Sequence, residues 1–244
     1  MKTMKTLKTM KAIEITTPDG TAPTFVWDNE GASILVLMDG IGMRPAIRDV
    51  AAKIADHGYR VVMPDLFYRL GPYTAPEPAS LFSDPGAGKA WFGRIGGMMT
   101  TENVRKDLGA YLDYIAVPRV GVVGYCMGGR FAIVAAADYP DRVAAAAAYH
   151  PGGLVTDKLD SPHLLAPKIR AQVYVGGAKN DAQFTPAMKD TLAAALNEAG
   201  VSNTVEMYDA MHGWVPNDTP VHDEAETARH YQTMFALFDS ALKA

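Results

Sequence analysis

Gly124-Tyr125-Cys126-Met127-Gly128-Gly129 holds the only cysteine of a 244-residue chain, framed by glycines as G-x-C-x-G. The run before it, Val120-Gly121-Val122-Val123, is apolar and suits a buried strand. Residues 130–137, rich in alanine, suit a helix. A strand that reverses into a helix over so few residues needs a tight turn. A Cβ on either side of the apex would collide as the backbone doubles back, and the apex residue itself is held in an unfavourable φ/ψ region. Such a turn lifts one side chain clear of the sheet as a nucleophile. Here the lifted atom is sulfur.

Working outward, strand-like and helix-like segments alternate, which implies a largely parallel sheet with helices on both faces. Residues 12–17 and 23–27 flank the turn signal Pro18-Asp19-Gly20 and predict an opening hairpin. Residues 33–38 form a continuous apolar run suited to a central strand. A helix is expected over 46–57, stopped by Gly58, then a strand over 60–63. Residues 69–100 are rich in Gly and Pro and predict a long, lid-like irregular excursion with one short helix near Ala90. Further helices are expected over 101–115, 127–138, 186–199 and 223–242, and strands over 119–123, 143–149, 169–175 and 204–208. With no internal repeat or linker, eight strands in this order predict one α/β domain over residues 1–244, arranged as an α/β-hydrolase-like sheet.

Composition limits the alternatives. Apolar residues make up 48% and charged residues 20%, as in ordinary globular proteins, and the net charge of −4 argues against a nucleic-acid partner. One cysteine cannot form an internal disulfide. In the N-terminal MKTMKTLKTMK, lysines recur every third residue and interrupt any apolar run, so neither a signal peptide nor a membrane span is expected. Residues 1–10 read as a frayed start or an alternative initiation site, and the cytoplasm is the expected compartment.

A nucleophile on a strand–helix turn predicts its partners at the ends of later strands, acid first and histidine second. After the strand expected over 169–175 comes Gly176-Gly177-Ala178-Lys179-Asn180-Asp181; after the last strand comes Ala210-Met211-His212-Gly213-Trp214. His212 would take the thiol proton and return it to a leaving group, and Asp181 would hold the imidazole tautomer. His150, which follows a strand and precedes Pro151-Gly152-Gly153, is the competing histidine and is expected as a wall or substrate contact. No cluster has metal-ligand spacing, His222-Asp223-Glu224 reads as a helix start, and no metal or cofactor is expected.

Four stretches together resemble the dienelactone hydrolase family, the cysteine branch of the α/β-hydrolases: residues 124–129, Asn180-Asp181, Met211-His212-Gly213 and Met38-Asp39-Gly40-Ile41-Gly42. The resemblance spans nearly the whole chain. It implies a Cys126–His212–Asp181 triad that opens an ester or lactone through an acyl-cysteine. It also implies an acid after the first central strand that pairs with the resting thiol; Asp39 stands there, in place of the usual glutamate. The oxyanion would be held by the backbone N–H groups of Met127 and Gly40.

Family members that act on dienelactone bind its carboxylate with arginines, one shortly after the histidine, and residues 213–218 contain none. Arg69 and Arg94 could substitute, and Trp91 and Trp214 suggest a more apolar pocket. The expected partner is a small ester or lactone, with the protein a monomer or homodimer. A broader carboxylesterase or thioesterase, or a non-catalytic small-molecule-binding protein of the same fold, are the alternatives at this stage.

Overall fold

The structure is a computed structural model that describes residues 9–243, so the expected frayed start lies, for residues 1–8, outside the described residues. β1 (Lys11–Thr17) and β2 (Gly20–Trp27) form the expected antiparallel hairpin, closing on the Thr17–Gly20 pair. β3 (Ser33–Leu37) is buried at every residue, as its unbroken apolar run requires. α1 (Pro45–Asp56) buries a stripe at residues 46, 47, 50, 51, 54 and 55, the spacing of one helical face. β4 (Arg60–Pro64) follows.

Residues 69–100 differ from expectation. They hold two helices, α2 (Pro78–Ser83) and α3 (Pro85–Gly96), where one short helix was expected. Glycines at 86, 88, 93 and 96 lower the helix propensity of α3, but burial of Trp91 and Ile95 offsets that loss. The Asp84 side chain also accepts from the Gly86 N–H and caps the helix.

Then come α4 (Thr101–Ile115), β5 (Val120–Tyr125), α5 (Met127–Asp138), β6 (Val143–Tyr149), β7 (Gln172–Ala178), α6 (Pro186–Glu198), β8 (Asn203–Tyr208) and α7 (Glu224–Leu242). β7 runs three residues past the expected end because Gly176 and Gly177 are sheet residues. A Cβ on Gly177 would lie 2.7 Å from the Phe184 ring and from the Met207 sulfur, so the glycine permits close packing.

The eight strands form one sheet in the order β1-β2-β4-β3-β5-β6-β7-β8. β2 pairs antiparallel with β1 and β4, and every pairing from β4 through β8 is parallel. This is the α/β-hydrolase architecture. Because β3, β5, β6, β7 and β8 are parallel, their C-terminal ends share one edge, where loops of an open sheet form a site. No helix among the described residues is long and apolar enough to cross a membrane.

Candidate active site

Cys126 sits between the last residue of β5 and the first of α5 with φ 53° and ψ −117°, a strained left-handed backbone for a non-glycine residue. The strain is held from both sides. The Cys126 N–H donates to the Tyr149 carbonyl at 3.0 Å, and its own carbonyl accepts from the Gly129 N–H at 3.1 Å. A Cβ on Gly124 would lie 1.9 Å from the Gly128 carbonyl oxygen, so the turn closes only around glycine.

His212 and Asp181 arrive from the loops after β8 and β7. The His212 Nδ1 lies 2.6 Å from Asp181 Oδ2, and the other carboxylate oxygen accepts from the Gln183 N–H at 2.8 Å. Burial disfavours a charged imidazole, but the charge available at the facing Cys126 and the Asp181 carboxylate outweigh it and push His212 up to about 10. Burial alone would raise Asp181; its hydrogen bond and charge pairing with His212 hold it below the usual carboxylate value. Cys126 and His212 line one cavity of about 590 Å³, together with Met127 and Gly40. Met127 opens α5, and the first N–H groups of a helix have no intrahelical acceptor. Gly40 is pinned through its carbonyl, which accepts from Trp91 Nε1 at 2.8 Å.

The cavity has two unlike walls. Leu81, Phe82, Phe92 and Ile95 come from α2 and α3 and are apolar. Arg130, His150 and Gln183 are polar. His150 is fully buried, has φ 38°, and its ring lies 5.2 Å from that of His212 and 5.0 Å from Trp214. Burial first, and then the neighbouring His212 and His230, push it well below the ordinary histidine range and keep it neutral.

Several expectations need correction. Asp39 lines the cavity, but its carboxylate is taken up by Arg44: Nη1 donates to Oδ1 at 2.8 Å and Nη2 to Oδ2 at 3.0 Å, while the Ile41 N–H donates to Oδ1 at 3.0 Å. Arg44 in turn holds Asp218, on the loop after His212, with Nε–Oδ2 at 2.7 Å. Both carboxylate oxygens of Asp39 are thus engaged by Arg44, a partner the sequence reading did not assign to it. Arg69 does not reach the cavity, because Asp107 and Asp19 hold its guanidinium at 2.7 Å each. Arg94 is exposed on α3 and outside the cavity lining. Trp91 and Trp214 lie behind the lining residues, Trp91 against Phe67 and Tyr73, and Trp214 stacked on Tyr208 at 4.8 Å. Sequence reasoning missed Arg44 and Arg130. The second had a signal, since Arg130 follows Cys126 by one helical turn.

Among the described residues no group of three or more His, Cys, Asp or Glu could hold a metal ion.

A model of the dienelactone hydrolase family matches residues 22–242. A carboxymethylenebutenolidase from Rhodococcus opacus is 33% identical over 117 residues, covering 47% of this chain and 42% of the relative. Another from Pseudomonas putida is 32% identical over 162 residues, covering 63% and 62%. The chain thus spans about two-fifths to three-fifths of the length of these curated relatives. A Klebsiella pneumoniae structure, provisionally called a dienelactone hydrolase, superposes with a TM-score of 0.77 at 22% identity, covering 95% of this chain and 99% of that one. At that identity the likeness is one of fold.

Proposed function

This chain belongs to the dienelactone hydrolase family, and on that footing we propose that it hydrolyses small esters or lactones through an acyl-cysteine. The carrying observation is the Cys126 apex, strained at φ 53° and opening into the same cavity as His212, whose ring Asp181 holds. Cys126 Sγ attacks the substrate carbonyl, forming a C–S bond as the carbonyl oxygen takes the negative charge. The N–H groups of Met127 and Gly40 receive that oxyanion. On collapse the C–O bond breaks, and the proton held by His212 passes to the leaving alkoxide. Water then gives its proton to His212 and adds to the thioester, and the carboxylic acid departs as the thiolate reforms. Asp181 keeps the His212 ring oriented and offsets its charge in each half-reaction.

The test uses p-nitrophenyl acetate with the native protein and two variants. Cys126→Ala should lose at least about a thousandfold in kcat, because no covalent intermediate can form. His212→Gln should lose a comparable amount, since both variants break one unit. Turnover by Cys126→Ala within about tenfold of native would reject the nucleophile.

A further inference from the structure

Taking the cavity as an esterase site, we propose that Phe82 and Phe92 form two aromatic subsites, Phe82 for the alcohol part of the substrate and Phe92 for the acyl part. The preferred substrate is then an uncharged ester with an apolar group on each side of the bond. These are the only exposed phenylalanines among the described residues, at 46% and 47%, and both line the cavity that holds Cys126. Covering phenyl surface that faces water is favourable, and an apolar substrate group supplies the cover.

The two rings rest on two different loops of the site. A Cβ added to Gly40 would lie 3.2 Å from Phe92 Cε1, so that ring packs on the loop after β3. A Cβ added to Gly213 would lie 3.4 Å from Phe82 Cζ, so that ring packs next to His212. In the sheet order β3 and β8 lie on opposite sides of β5, whose end carries Cys126. The proposed mechanism divides the substrate between them. The leaving oxygen must lie near His212 to take its proton, which sets the alcohol group beside Phe82. The carbonyl oxygen must lie at the Gly40 N–H, which sets the acyl group beside Phe92.

Charge at the site favours an uncharged substrate. Both oxygens of Asp39 are held by Arg44, which also binds Asp218. Arg130 lies 3.7 Å from Asp160 and donates through Nη2 to Thr101 Oγ1 at 2.6 Å, while its Nε is buried. Asp39, Asp218 and Asp160 thus outnumber the two arginines, and burial holds His150 neutral. A carboxylate on the substrate would meet cations already matched by acids and would add a further like charge.

Two measurements test this. First, hydrolysis of methyl acetate, benzyl acetate and methyl 3-phenylpropanoate is followed by pH-stat with native protein, Phe82→Ala and Phe92→Ala. In native protein each phenyl group should raise kcat/KM about tenfold or more over methyl acetate. Phe82→Ala should cut the benzyl acetate advantage to below about threefold and spare that of methyl 3-phenylpropanoate; Phe92→Ala should do the reverse. Both rings are half-exposed, so truncation leaves the core intact, and Phe82→Leu and Phe92→Leu should each recover part of the lost advantage. Benzyl hydrogen succinate should have a kcat/KM at least about tenfold below that of benzyl butanoate. Second, calorimetry with the Cys126→Ala protein uses amides in place of esters. Adding Phe82→Ala should weaken N-benzylacetamide about tenfold, and adding Phe92→Ala should weaken N-methyl-3-phenylpropanamide by a similar factor.

Two advantages that survive both alanine variants, or that fall alike in both, overturn the subsites while the hydrolase reading stands. Hydrolysis of the succinate as fast as the butanoate overturns the uncharged substrate. If no ester turns over yet each amide loses affinity with its own phenylalanine, the hydrolase reading fails and the subsites stand. If no ester turns over and neither amide binds, both fail.

Discussion

Arg44 shows how one side chain can fix two loops. It is 5% exposed and lies between Asp39, on the loop that carries Gly40, and Asp218, on the loop that follows His212. Burial disfavours its charge, but the two carboxylates outweigh burial and raise its pKa further. Removing one member of such a buried group leaves like charges facing each other, which typically destabilises by about 3–5 kcal/mol. Arg44→Met is therefore expected to lower thermal stability and, on the proposed mechanism, to reduce kcat more than KM, because the Gly40 loop and the His212 loop lose their cross-link. Lysine offers a point charge in place of a fork and cannot hold both carboxylates bidentately, so Arg44→Lys should recover only part of the loss. A double-mutant cycle with Asp39→Asn, read in melting temperature and kcat, should give coupling above about 1 kcal/mol. Strict additivity would show that the clamp positions nothing. Sequence gave no warning of this arrangement. Asp39 was expected near Cys126 and lines the same cavity, but the Arg44 that holds it also binds Asp218, 174 residues beyond Arg44.

Elements divide by whether glycine serves geometry or merely dilutes a helix. Gly128 on α5 faces the end of β3, where an added Cβ would lie 2.2 Å from the Leu37 carbonyl oxygen and 2.5 Å from that of Met38. Those are backbone atoms and cannot swing aside. Gly128→Ala must push the elbow away from the end of β3 and the loop that carries Gly40, at about 1–3 kcal/mol for overpacking. At this chain length that is a fall of roughly 3–10 °C in melting temperature. Because the displacement separates Met127 from Gly40, kcat/KM should also fall by at least about tenfold, in esterase assays run well below the melting point. Gly93 on α3 has nothing within 4 Å of its added Cβ, so Gly93→Ala should be neutral or stabilising by up to about 1 kcal/mol. If calorimetry ranks the two variants equally, the elbow is not tightly constrained. The same distinction explains what could be read beforehand. The G-x-C-x-G elbow and the acid and histidine after β7 and β8 were legible because each is tied to a strand end. α3 was not, because four glycines hide a helix that exists by burying Trp91 and Ile95.

At the scale of the whole molecule, buried histidines set the response to acid. His230 on α7 is fully buried, with its Nε2 3.0 Å from the hydroxyl of Tyr125, which stands next to Cys126. Burial, only partly offset by its local backbone contact, pushes it down to about 3 from an ordinary 6.5. In the unfolded chain it takes a proton below 6.5, whereas in the folded protein it stays neutral until about 3. The unfolded state therefore binds more protons across that window, and stability is lost as pH falls through it. One histidine gives about 1.4 kcal/mol per pH unit, or about 2 kcal/mol between pH 6.5 and pH 5. His150 is shifted in the same direction and adds to the loss. His212 has the opposite sign: its raised pKa stabilises the fold below 6.5, and that contribution disappears as pH rises through about 10. The protein should thus weaken toward acid through its core and toward alkali through His212. Urea titrations of native protein and His230→Gln at pH 7 and pH 5 separate the core contribution. Glutamine keeps a polar atom near Tyr125 but takes no proton. Its lower absolute stability is set aside by comparing each protein with itself at the two pH values. The native protein should lose about 2 kcal/mol more than the variant between them, and equal losses would place the acid sensitivity elsewhere.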